Sequence, residues 1–241
     1  MSLDRVDELK RLRDERGVVV IIAFTYRSNP VIWELKRRVD AREFGKVHHV
    51  IFYRGQYWPA MRVAYPPEYA QKRQSGGGVI TEMLVHTINH LEWKFGPPLQ
   101  VGAHHWHMAL NDIDTEDLGF VTLCFADDTT AQIGCWLFQR DTSSCLTFIC
   151  DQGTMQMRLG CNTLELFDAR TGDWTKGTAT DPGRGNIFLE QARLFIDCVE
   201  GRAAPRCTIE EAEQTLQTVL AALASADNDG RFVDVPQMAM P

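Results

Sequence analysis

Ser75-Gly76-Gly77-Gly78-Val79-Ile80-Thr81-Glu82-Met83-Leu84-Val85-His86-Thr87-Ile88-Asn89-His90 decides how the rest of the chain is read. Three glycines free the backbone for open turns, and the apolar residues after them recur at helical spacing. The stretch therefore predicts a loop feeding directly into a helix. At about 100° per residue, Ile80, Leu84, Ile88, Leu91 and Phe95 form a core stripe. Glu82, His86 and Asn89 form a second line, within roughly 60° of one another. A carboxylate one turn before a histidine accepts a hydrogen bond from the imidazole, orients the ring and stabilises its protonated form. Glu/His pairs at this spacing are more often ordinary surface features. The glycine run tips the balance, because three glycines are an entropically costly way to start a helix unless the backbone must pass close to something.

The 241 residues are enough to bury a substantial core without disulfides or metals. Hydrophobic content of 44% and charged content of 24% are those of a soluble globular protein. A net charge of -7 argues against nucleic acid as the main partner. Seven cysteines form an odd set with no Cys-x-x-Cys pair, the pattern of free thiols in a reducing compartment. No apolar stretch is long enough to cross a membrane and the N-terminus is charged, so the expectation is a cytoplasmic protein.

Residues 4–16 read as a short amphipathic helix ended by Gly17, and 18–24 as a continuous apolar strand of the kind covered on both faces. Pro30 opens a helix through Asp40, residues 47–54 are strand-like, and an irregular section rich in aromatics and proline runs to the glycine loop. Beyond it come strand-like runs at 99–107, 118–126, 130–138, 144–150, 154–158 and 163–167, joined by short turns that imply antiparallel hairpins. Two helices follow. The first, 187–200, turns Phe188, Ala192, Phe195, Ile196 and Val199 inward, and the second starts from a Thr208/Glu211 capping box. A last short strand covers 231–235. The fold class is α+β, a largely antiparallel open sheet with helices on one face. Residues 130–138 carry apolar groups on both sides, Ile133, Cys135 and Leu137 against Trp136 and Phe138. A second copy covering the open face, as a dimer or tetramer, is the expected solution.

These pieces resemble a known pattern. Tyr26-Arg27 with Pro30, Gly45-Lys46-Val47, the Gly76-Gly77-Gly78 helix ending in Trp93 and Gly96, and Glu116-Asp117 are similar to the C-terminal domain of the Gfo/Idh/MocA family of nicotinamide-dependent oxidoreductases. Cys150-Asp151-Gln152-Gly153-Thr154, Phe195-Ile196-Asp197-Cys198-Val199 with Gly201-Arg202, and Gly230-Arg231 extend the resemblance over almost the whole chain. It implies an enzyme acting on a sugar, polyol or related small alcohol, with His86 exchanging the substrate hydroxyl proton and Glu82 in place of the family's usual aspartate. Tyr26, Arg27, Arg54, Trp58 and Asn89 are then the candidate substrate-binding residues. The two arginines and Trp58 equally suit ordinary loop packing. Gly76, Gly77 and Gly78 are weaker candidates for touching the dinucleotide.

Family members begin with a Rossmann domain, whereas these residues contain no Gly-x-Gly-x-x-Gly and no Glu-Lys-Pro. Residues 1–24 are read as the remnant helix and strand of such a domain and 25–241 as the substrate domain. NAD or NADP is expected in the complete enzyme and no cofactor on this chain alone, unless a separate nucleotide-binding domain joins it. The alternative is a non-catalytic small-molecule-binding protein or dimer scaffold of the same descent. His104, His105 and His107 fall on both faces of a strand without a completing ligand, so no metal is assigned. Asn111 to Asp117 is read as a solvated hairpin rather than a calcium loop.

Overall fold

The computed structural model describes residues 2–61, 72–158, 160–177 and 183–238. Within them nine strands form one open, mixed sheet in the order β8-β7-β6-β5-β1-β4-β3-β2-β9. The strands are β1 Val47–Tyr57, β2 Gln100–Trp106, β3 Leu118–Cys124, β4 Thr130–Trp136, β5 Phe138–Cys150, β6 Gly153–Arg158, β7 Thr163–Asp168, β8 Asp173–Lys176 and β9 Val233–Asp234. Every described pair is antiparallel except β1 with β4, where Phe52 faces Ile133 and Arg54 faces Cys135. Six α-helices accompany the sheet: α1 Val6–Arg16, α2 Pro30–Asp40, α3 Trp58–Met61, α4 Val85–Phe95, α5 Arg184–Val199 and α6 Ile209–Ala226.

Helix ends form where the residues dictate. The Asn29 side chain accepts from the Val31 amide at 2.9 Å and Pro30 fills the first turn of α2. Thr208 and Glu211 close the expected reciprocal capping box on α6. One face of the sheet, with Val50, Phe52, Val121, Ile133, Leu146, Phe148 and Met155, is buried beneath the helices. Ile80, Leu84, Ile88 and Leu91 are each 0% exposed, as the stripe requires, and each such burial contributes roughly 1.5–3 kcal/mol. The opposite sheet face leaves Ile51, Trp106, Phe120 and Ile149 more than a third exposed.

Four expectations need correction. Residues 18–24 pair with no strand among the described residues, and the Phe24 amide turns back onto the Ile22 carbonyl. Their Ile22 amide donates to the Cys207 carbonyl instead, and Val18 is 52% exposed. A strand needs a neighbouring edge within hydrogen-bond reach, and none stands beside this run. Helix α5 points its expected core stripe outward: Phe188, Phe195, Ile196 and Val199 are about half exposed. It leans on the chain near residues 25–28 through its other side. The glycine-loop helix opens as a π turn, Val79–Leu84, before becoming α-helical at Val85. Finally, Phe138 belongs to β5 rather than β4, and β8 was not foreseen. Residues 62–71 of the irregular section lie outside the described residues.

Candidate functional site

The site forms where the 3₁₀ turn Thr25–Ser28, the head of α4 and the end of β1 converge. His86 lies in the first turn of α4, half-buried. Phe24 meets its ring edge-on at 5.6 Å and Tyr26 at a tilt at 5.9 Å. These aromatic walls restrict the imidazole to few orientations. Glu82 lies one turn earlier, within the π segment, where the wider i→i+5 turn rotates the residues before Val85 relative to those after it.

The Tyr26 phenol is buried, which pushes its pKa up, while the Arg54 guanidinium hydrogen-bonded to it pulls the other way. Arg54 Nε also donates to Gln56 Oε1 at 3.0 Å, and Gln56 Nε2 reaches the Met83 sulfur at 3.8 Å. This links the end of β1 to the π turn. Burial drives the neighbouring Cys135 thiol up to about 12, so it stays protonated and inert.

The other sequence candidates lie elsewhere. Arg27 and Asn89 are 2% and 1% exposed, and Arg27 Nε donates to Asn89 Oδ1 at 2.9 Å. Arg27 Nη1 donates to Glu211 Oε1 at 2.6 Å and the Asn89 amide to Thr215 Oγ1 at 3.0 Å. Trp58 is 4% exposed within the core. All three hold the fold behind the site. Gln56, Met83 and Phe24 adjoin these candidates and were not among the residues singled out from the sequence, although Gln56 follows Arg54 by two residues on the same strand face.

The glycine loop has an internal reason. Gly78 sits at φ 126, and a Cβ there would collide with the Glu116 carboxylate. Glu116 Oε1 faces the Ile80 amide at 3.4 Å, and Thr81 Oγ1 ties back to the Gly76 carbonyl at 2.8 Å. A dinucleotide phosphate brought against Gly78 would meet this buried carboxylate.

The acidic run is likewise structural. Thr115, Glu116 and Asp117 are buried rather than solvated, and Asp117 accepts the Met108, Ala109 and Leu110 amides at 2.7–2.8 Å. His105 faces Asp227, His107 reaches the Leu110 carbonyl and His104 stacks on Trp106. Among the described residues no group of three such side chains has metal-holding geometry, and no helix is long and apolar enough to cross a membrane.

An open nine-stranded sheet covered on one face by helices, with a histidine-bearing helix whose glycine-led first turns pack on β3 and β4, defines an α+β domain. The profile of the GFO/IDH/MocA C-terminal domain matches residues 32–156, more than half of the chain, and the chain belongs to that family. Levoglucosan dehydrogenase, in complex with NADH and levoglucosan, superposes with a TM-score of 0.82 at 17% identity, over 96% of this chain and 71% of that one. An oxidoreductase from Agrobacterium radiobacter, in complex with NAD+, L-tartaric acid and magnesium, gives 0.78 at 16%, over 97% and 70%. UDP-N-acetylglucosamine 3-dehydrogenase from Acidithiobacillus ferrooxidans gives 0.75 at 14%, over 96% and 69%. At these identities the likeness speaks for the fold. No curated protein matches the chain.

Proposed function

We propose that these residues form the substrate-binding and oligomerising part of a nicotinamide-dependent oxidoreductase acting on a sugar, polyol or related small alcohol. The observation that carries the reading is the His86 ring at the head of α4, between Phe24 and Tyr26, in a chain of this family. His86 takes the proton of the substrate hydroxyl during oxidation and returns it in reduction. Glu82 sets the ring's orientation, and Tyr26 and Arg54 offer a phenol and a guanidinium to the substrate's oxygens. Arg27, Asn89 and Trp58 position these groups from behind.

In this reading NAD or NADP belongs to a nucleotide-binding domain outside these residues, in the same polypeptide or a separate one, with residues 1–24 against it. Hydride chemistry is supplied there. A second copy covers the open sheet face around Ile51, Phe120 and Trp136. Exchange of His86→Asn in the complete enzyme should cut turnover by roughly 10²–10⁴; unchanged turnover would overturn the role of the histidine.

The second reading, a small-molecule-binding protein or dimer scaffold without redox activity, draws support from the Glu116 carboxylate that closes the glycine loop. Calorimetric titration of the 241 residues with NADH and NADPH should give no binding in the micromolar range. Measurable binding would remove this reading and the placement of the cofactor elsewhere.

A further inference from the structure

Three polar side chains on one line of α4 take no part in the site above. Thr87, His90 and Lys94 are spaced i, i+3 and i+7, so they lie along one side of the helix. Thr87 is 1% and His90 0% exposed. Thr87 Oγ1, both ring nitrogens of His90 and Lys94 Nζ are buried, and none reaches a hydrogen-bond partner among the described residues. Leaving such groups dry costs about 1–3 kcal/mol each, so an occupant that satisfies several at once is strongly favoured.

The charges around the line identify the occupant. From α2, Lys36 faces the line and is paired with Asp40 at 2.7 Å. From the 3₁₀ turn, Arg27 faces His90 and is paired with Glu211 at 2.6 Å, and the Tyr26 ring meets His90 edge-on at 6.2 Å. From β5 and α4, Phe148 and Trp93 lie 5.8 and 5.7 Å from Lys94 Nζ. Each neighbouring cation thus has its own carboxylate; Asp40 also acts on Lys94 from a distance, but among the described residues no carboxylate lies within hydrogen-bond reach of the Lys94 ammonium. Burial, then the surrounding positive charge, push both His90 and Lys94 toward their neutral forms. With His90 and Lys94 protonated, the imidazolium N–H groups, the ammonium and the Thr87 hydroxyl can all donate, and a small anion is the partner that accepts from them together.

We propose that Thr87, His90 and Lys94 line a binding site for a small monovalent anion of halide size, beneath α2 and against Phe148. The anion completes the donors and restores the charge of Lys94. The proposal stands independently of the redox reading.

Thermal unfolding in sodium chloride against sodium gluconate at equal ionic strength tests it, because gluconate is too large to enter. The expected result is a saturable rise in Tm of roughly 2–4 °C with chloride alone. Lys94→Met should abolish the difference. Coincident chloride and gluconate curves for the native chain overturn the proposal even if the variant fails to fold. Crystals soaked in bromide give a second check: an anomalous peak beside Lys94 Nζ supports the site, and a clear map without one refutes it.

Discussion

The Glu116 carboxylate occupies the space that a Cβ on Gly78 would fill, with Oε1 facing the Ile80 amide at 3.4 Å. A buried acid thus receives the first turn of the π helix where a side chain would otherwise stand. Gly78→Ala should destabilise by about 2–4 kcal/mol, from the φ of 126 together with the collision. In a double-mutant cycle, Glu116→Ala should recover part of that loss by removing the collision while leaving the backbone strain. Strictly additive losses in denaturant unfolding would show that the two residues do not meet.

Arg27 joins three parts of the chain, donating to Asn89, to Glu211 and to the Arg206 carbonyl. Removing it by Arg27→Met strands a half-buried carboxylate and a buried amide. The expected cost is about 3–5 kcal/mol, seen as an earlier urea midpoint with little change in slope. Arg27→Lys should not restore stability, since one ammonium cannot span three acceptors.

Glu92 is a half-buried acid of α4 that bonds across to α6. Burial raises its pKa to about 7, against the pull of the Thr215 and Thr218 hydroxyls that donate to it at 2.5 and 2.6 Å. The folded state therefore holds the proton more tightly than the unfolded state, whose carboxyl titrates near 4.5. The contribution is fully present below pH 4.5 and is lost as pH rises through about 7. The loss amounts to roughly 3 kcal/mol. Glu92→Gln should be nearly neutral at pH 5 and stabilising at pH 8. An equal effect at both pH values would contradict the raised pKa.

Phe120 is 44% exposed on the open sheet face and lies over Gly134, beside the stacked pair Tyr53 and Trp136. If a second copy covers this face, Phe120→Arg should convert the oligomer to monomer in size-exclusion chromatography with light scattering, leaving the fold intact by circular dichroism. Burying an unpaired guanidinium in such an interface is prohibitive. A native chain that already elutes as a monomer would refute the oligomer.

Periodicity was a good guide wherever packing is local. The stripe from Ile80 to Leu91, the Thr208 cap and the hairpin strands could all be read from spacing, because each depends on neighbours in sequence. It was a poor guide to faces. The stripe on α5 reads as core because Phe188, Phe195, Ile196 and Val199 share one side, but periodicity cannot say what lies opposite. Residues 18–24 show the same limit, since β-propensity says nothing of a partner edge. Around the candidate site, the nearness of His86 and Tyr26 was not legible from spacing, since it comes from the fold. Arg27 and Asn89 were not separable from them, because a buried arginine and an exposed one look alike until Glu211, far along the chain, is brought beside it. The π turn carries no signature in residue spacing at all.

The run from Val18 to Phe24 gives the chain an adhesive margin. None of its seven side chains is buried, and they lie beside a backbone largely without strand partners. Such a ribbon readily accepts any exposed β edge offered to it. Helix α1, just before it, is fastened to α6 by Lys10 with Glu213 and by Arg13 with Glu210. The ribbon is therefore anchored through the helix that precedes it and through its Ile22 amide on the Cys207 carbonyl.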